Sequence, residues 1–316
     1  MTAAAPAPTK IEAKKRPGDI WFSGTALAAG AMILATLAAV AIFLIVQSLP
    51  AIGASSEEAS LLTTNFWDYV WPLLFGTIWA ALLALIMAVP LSLGVALFIT
   101  HYAPRRLAQG LGYVVDLLAA VPSVVFGLWG ILVLAPAVQP VYAWLNANMG
   151  WFPLFGGEVS ATGRTIFTAA IVLAVMVVPI ITAICREIFL QTPVLHEEAA
   201  LALGATRWEM IRMAVLPFGR SGIVSASMLG LGRALGETMA VAMVLSATGT
   251  VTFQLFTSTN PSTIAANIAL TFPEAFGTNI NVLIATGLIL FIVTFAVNFI
   301  ARWIVNRRKE FSGANG

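Results

Sequence analysis

Two groups of residues could do chemistry in this chain, and both stand out against an apolar background. The first is the pair Arg233 and Glu237, inside the stretch GLGRALGETMAVAMV. An ionisable side chain within a bilayer costs at least about 2.5–3.5 kcal/mol, so it faces a polar interior or a partner. Four residues apart, the two would share one face of a helix. A guanidinium offers a planar fork of donors suited to phosphate or carboxylate oxygens. One reading therefore makes Arg233 a station on an anion pathway, with Glu237 orienting it or keeping it from holding the anion too tightly. The other reading is a structural ion pair that stitches helices together. Gly230, Gly232 and Gly236 form a small-residue stripe that permits close packing there. Asp116 is either a second partner for Arg233 or Arg220, or a carboxylate exposed to water at the membrane interface.

The second group is residues 197–217, EEAALALGATRWEMIRMAVLP, a charged, helix-forming segment held between two long apolar runs. A helix should begin near Thr192-Pro193, with proline at a permitted first-turn position. Glu197 and Glu198 then lie near its N-terminus, where the helix dipole favours negative charge. Gly204 suits a C-cap or a bend. A second helix resumes after it and is expected to end at Pro217. Two short helices at an angle make a compact knob: either an amphipathic pair lying on the membrane, or the place where a soluble partner grips.

The elements that must position these groups follow from composition. Of 316 residues, 59% are hydrophobic and 9% charged, and mean hydropathy is +0.93, which makes the chain an integral membrane protein. Six stretches are long enough for the roughly 20 residues a spanning helix needs, near 21–49, 71–99, 111–136, 164–185, 220–247 and 280–304. Pro90, Pro122 and Pro179 each remove a backbone donor inside a span and tend to kink it. Pro122 lies in VPSVVFGLWG, beside Ser123 and ahead of Gly127 and Gly130, where a neighbouring backbone can approach closely. Every Lys and Arg except Arg164 and Arg233 falls in the tails or in the second-to-third and fourth-to-fifth connections. That puts both termini in the cytoplasm, and the loops near 50–70, 137–163 and 248–279 outside. Short re-entrant or interfacial helices are expected around Trp144–Trp151.

Other chemistries are excluded. Cys185 is the single cysteine and has no intramolecular disulfide partner; His101 and His196 are too isolated for a metal cluster. No nucleotide-binding GxxxxGK[ST] loop or GxSxG elbow is present. The Pro/Ala-rich residues 1–19 read as a disordered tail, and the first span is twice the length of a signal-peptide core, so it is retained.

The 197–217 segment resembles the EAA loop of importer-type ABC permeases, E-A-A-x3-G-x9-I-x-L-P. Here it reads Glu198-Ala199-Ala200, Gly204 and Val215-Leu216-Pro217, with Met213 or Ala214 where Ile is common. GRALGETMAV together with VPSVVFGLWG resembles the phosphate-uptake permeases of ABC importers, of the PstC type; the PstA type continues Gly-Glu-Thr with Ala-Pro, where this chain has Met239-Ala240-Val241.

The resemblance implies an all-α membrane protein with six transmembrane helices and the importer-type ABC permease fold. It covers the chain from about residue 20. The permease domain runs over 20–305, with a coupling loop at about 190–217 and a cytoplasmic tail at 306–316. It implies ATPase coupling through Glu197, Glu198, Ala199, Gly204, Leu216 and Pro217, and a substrate pathway through Arg233, Glu237, Asp116 and Ser123. Its partners would be a PstA-type permease, two PstB-type ATPase subunits carrying ATP and Mg, a PstS-type extracytoplasmic phosphate-binding protein and membrane lipids, with no nucleic acid. The chain itself would be non-catalytic, bind no cofactor and metal, and sit in a bacterial cell membrane. Rival readings are a permease for sulfate or molybdate, an ion-coupled secondary transporter using Arg233, Glu237 and Asp116 as a proton relay, and a membrane subunit that senses phosphate.

Overall fold

The computed structural model describes residues 17–309. The expected tail lies outside it for residues 1–16, including Lys10, Lys14, Lys15 and Arg16, as does the C-terminal stretch 310–316. Helix α1, Pro17–Ile52, opens the chain, so residues 17–19 of the expected tail are helical. The chain divides between Gln47 and Ser48, and the first unit is a single apolar helix. Its Thr25 and Thr36 hydroxyls fold back onto the carbonyls of Phe22 and Met32, leaving a surface suited to an apolar surrounding.

The second unit holds the remaining helices: α2 Phe66–Leu97, α3 Arg105–Ala119, α4 Ser123–Trp129, α5 Ala135–Met149, α6 Ile166–Leu190, α7 Val194–Ala202, α8 Arg207–Met210, α9 Leu216–Gly236, α10 Met239–Val244, α11 Ile264–Thr271 and α12 Thr278–Lys309. Wider π turns join α4 to α5 (Gly130–Leu134) and α8 to α9 (Ile211–Val215), and a third closes α2 (Phe98–Tyr102). With these joins, six helices among the described residues are long and apolar enough to cross a membrane: Trp21–Ile52, Phe66–Tyr102, Ser123–Met149, Ile166–Leu190, Arg207–Gly236 and Thr278–Trp303. Among the described residues no strand forms, only two isolated bridges.

Side-chain caps set several starts. Asn65 accepts from the Asp68 amide at α2, Thr165 from Thr168 at α6 and Thr263 from Ala266 at α11.

Two of the expected spans are displaced. Hydropathy puts the third at 111–136, but the amphipathic α3 stops at Ala119. Pro122 then takes an extended conformation, and the spanning helix runs from Ser123 to Met149. The expected outer loop at 137–163 is thereby shortened, and Trp144 lies in α5. Hydropathy puts the fifth at 220–247, but it begins at Arg207 and breaks after Gly236.

The core is the packing of α6 between α2 and α9. Ala80, Ala84, Ala88, Ser92 and Ala96 recur every fourth residue on α2 and are all buried, giving a flat stripe against Leu173, Met176, Val177, Ile181 and Cys185 of α6. Ser92 donates to the Val178 carbonyl beside Pro179, at 3.2 Å. On α9 the stripe is Gly222, Ala226, Gly230 and Ala234, not the expected Gly230, Gly232 and Gly236. A methyl at Gly230 would lie 2.7 Å from Val177, whereas Gly232 and Gly236 have nothing within 4 Å.

At the α6 N-terminal end, Asn260 organises the 245–263 segment. Its Oδ1 accepts from the Ile166 amide (3.0 Å), and its Nδ2 donates to the Ser246 and Thr257 carbonyls (3.1 and 3.0 Å). Tyr142, stacked on Phe256, donates to or accepts from Thr168 beneath it. Asn260 is fully buried, so removing its amide strands three backbone groups. Asn260→Ala should cost at least about 2 kcal/mol, read as a lower thermal unfolding midpoint in detergent, with exposed Asn148→Ala unchanged.

Candidate functional site

The segment joining α6 to α9 is folded as a knob. α7 starts after Pro193, and Gly204 terminates it in the left-handed region at φ +86°, with open space around it. Thr206 then starts α8 through a capping box: its hydroxyl accepts from the Glu209 amide, while Glu209 Oε2 accepts from the Thr206 amide and hydroxyl, both at 2.8 Å. The helix does not end at Pro217 as the sequence suggests. The π turn at Ile211–Val215 comes just before Leu216 and Pro217, and the helix passes straight on into α9.

Glu198, Ala199 and Gly204 are exposed on this knob, beside Leu195, Leu203 and Trp208, which also project outward. Glu197 turns the other way. Its Oε1 lies 3.4 Å from Nε2 of His101 in the π turn that closes α2, and His101 Nδ1 is 2.6 Å from the Thr100 hydroxyl. The His101 side chain is 9% exposed. His101, isolated in sequence, is thus tied to the knob; the two lie 96 positions apart, and no local pattern announces the contact.

At the break in the fifth span, Arg233 and Glu237 do not share a helix face. α9 stops at Gly236, Glu237 is extended, and its Oε1 accepts from the Ala240 amide at 3.1 Å, capping α10. Glu237 is 9% exposed and makes no ion pair with Arg233. The other end of α10 is held by Arg164, whose Nη2 donates to the Met243 and Leu245 carbonyls at 3.1 and 3.5 Å. In sequence Arg164 is only a basic residue apart from the tails and the two basic connections, and nothing local signals this role. α10 itself lies against Gly127 and Gly130: a methyl at Gly127 would lie 3.0 Å from Ala240 Cα, and one at Gly130 2.7 Å from Val172 and Val244.

Arg233 opens instead onto a cleft of about 810 Å³ among α6, α9 and α12. Ser225, Gly232, Asn298 and Arg302 line the same cleft. Asp116 and Ser123 do not. Asp116 accepts from Arg186 Nη2 at 3.5 Å, not from Arg233 or Arg220, in a separate pocket of about 460 Å³ between α3 and α6. Ser123 begins α4, half-buried. No group of three or more potential metal-ligating His, Cys, Asp or Glu occurs among the described residues.

Residues 88–310 match the family described as "Binding-protein-dependent transport system inner membrane component". The chain is 50% identical over 303 residues to "Phosphate transport system permease protein PstC 2" of Mycobacterium tuberculosis, covering 92% of each chain. It is 48% identical over 282 residues to "Phosphate transport system permease protein PstC" of Mycobacterium leprae, covering 85% of this chain and 87% of that one. In fold it is similar to a bacterial alginate ABC transporter solved in complex with an alginate pentasaccharide-bound periplasmic protein. The TM-score is 0.61 at 16% identity, over 92% of this chain and 95% of that one.

Because Glu237 caps α10 and does not pair with Arg233, Glu237→Gln should keep the fold, since its amide oxygen can still accept from Ala240. Glu237→Ala should lose about 1 kcal/mol. In a double-mutant cycle on thermal unfolding, Arg233→Ala and Glu237→Ala should be additive within about 0.5 kcal/mol. A coupling several times larger would reinstate the ion pair.

Proposed function

The chain belongs to the family of inner membrane components of binding-protein-dependent transport systems, and on that premise we infer that it is the PstC-type permease subunit of an ATP-driven importer of inorganic phosphate. As a permease it is a non-catalytic membrane component that forms half of a translocation pathway. The observation that carries the reading is the 50% identity to a phosphate permease over nearly the whole chain. The unpaired Arg233 guanidinium, open to a cleft between spanning helices, supports it chemically.

The basic residues of the α2–α3 connection and the knob face the cytoplasm, as do both termini, in the plasma membrane of a bacterium. A PstA-type permease completes the pathway, a PstS-type receptor delivers phosphate from outside, and two PstB-type ATPase subunits hold ATP and Mg. The knob docks on the ATPase through exposed Glu198 and its apolar neighbours. Closure of the ATPase moves α7. That motion reaches α9 through the continuous helix from Arg207, and α2 through His101 and Glu197. Glu197 is in this account an internal link and Glu198 the outward contact. Arg233 gives phosphate a transient charge partner, held loosely enough for release to stay fast.

Labelled phosphate uptake should depend on ATP, resist excess sulfate, and fall at least about tenfold in Arg233→Gln, the scale of one lost charge-assisted hydrogen bond, with the complex still assembled. Uptake blocked by sulfate or molybdate would point to another oxyanion. Glu198→Lys should abolish uptake in an assembled complex by placing the wrong charge at the docking surface; normal uptake there would remove Glu198 from the docking contact.

A further inference from the structure

The cleft that holds Arg233 holds a second guanidinium, Arg302 of α12. α9 and α12 pack against each other and run in opposite directions. The start of α12 is tied to Ser60 and Leu61, just before α2, through Asn279, while α9 begins at the knob. Arg302 therefore lies toward the knob end of the cleft, the end at which its α9 wall begins with Val224 and Ser225. Arg233 is eight residues further along α9, about 12 Å at 1.5 Å per residue. Neither guanidinium has a hydrogen-bond or ion-pair partner among the described residues, and no carboxylate lines the cleft. Arg233, inside the fifth span, is costly there unless something polar or anionic meets it. Arg302, exposed and one residue before the end of the sixth span, is the next positive charge an anion leaving Arg233 toward the knob would reach.

The walls fit that occupant. Asn298 is one turn before Arg302 on α12; its Nδ2 donates one hydrogen to the Thr294 carbonyl at 2.9 Å and keeps a second for a ligand. Gly232, next to Arg233, has nothing within 4 Å of where a side chain would begin. Its missing side chain leaves the cleft open and serves no packing contact.

We propose that Arg302 and Asn298 form a second station for a tetrahedral oxyanion, toward the knob end of the cleft, that receives the anion from Arg233. The proposal rests on the phosphate-permease reading. A lone arginine that attracts a phosphate dianion also retains it; a second one further along offers a comparable partner, so the anion can leave the first without facing the bilayer unpaired. A phospholipid headgroup carries the same chemistry and is the competing source.

The test uses the full complex, both permeases, ATPase and receptor, in proteoliposomes containing phosphatidylglycerol. Arg302→Gln should lower the maximal rate of labelled phosphate uptake about tenfold and leave the half-saturating phosphate concentration unchanged. Arg302→Lys should recover most of the rate. Gly232→Val should also slow uptake without lowering the thermal midpoint, which keeps the proposal testable if Arg302→Gln fails to assemble. Wild-type uptake in Arg302→Gln and Gly232→Val, with Arg233→Gln inactive, would overturn the second station and leave the phosphate-permease reading standing. Normal uptake in Arg233→Gln as well would remove the pathway itself. If replacing phosphatidylglycerol with phosphatidylcholine slows the wild type to the Arg302→Gln rate, the occupant is a lipid headgroup and the proposal fails.

Discussion

A backbone that breaks its helix inside an apolar surrounding must find new partners for the freed amides and carbonyls, and that constraint governs the interior of this protein. The fifth span stops at Gly236, and α10 follows as a separate short helix. Glu237 satisfies an amide at its front end and Arg164 accepts the task for carbonyls at its rear. Gly127 and Gly130 let α10 lie directly on the third span. With Glu237 spent on the backbone, Arg233 is left without a counter-charge among the described residues, and the cleft in front of it is positive.

The same economy of small residues organises the rest of the second unit. Stripes with a four-residue repeat on α2 and α9 let both helices approach α6 closely, where dispersion contacts and not water exclusion hold helices together. α6 is thereby clamped from two sides, and Ser92 of α2 donates to the Val178 carbonyl at the level of Pro179. A tightly packed trio of this kind moves as discrete bodies more readily than it deforms.

Besides its covalent start at the end of α6, the knob meets that trio at two points, the π turn that closes α2 and the one that precedes α9. π turns lie where a helix accommodates an extra residue, often at functional sites. Here one of them presents His101 to Glu197, and the other allows the helix to pass Pro217 unbroken. A push on α7 therefore has a side-chain route to one span and a covalent, helical route to another.

Much of this was legible along the chain. Hydropathy sufficed for six spans because the roughly 20-residue apolar length is a one-dimensional property. Pro193 and Gly204 marked the limits of α7 because those helix ends are coded locally, whereas Leu216-Pro217 marked no end. Gly127 and Gly130 marked a close approach, though not what approaches. The start of the third span and the end of the fifth were misplaced because hydropathy averages over Pro122 and over the Gly236–Thr238 break, where conformation and not apolarity ends the helix. The fifth begins early, at Arg207, because its helix passes through Pro217 unbroken. What only the tertiary structure decided is the pairing of charges. Four-residue spacing put Arg233 beside Glu237, but a carboxylate in an apolar interior goes to whichever donor is left unsatisfied, and here that was the amide of Ala240. Asp116 met Arg186 across 70 residues and Glu197 met His101 across 96. Such partners are chosen by helix packing and register, which local sequence spacing does not encode.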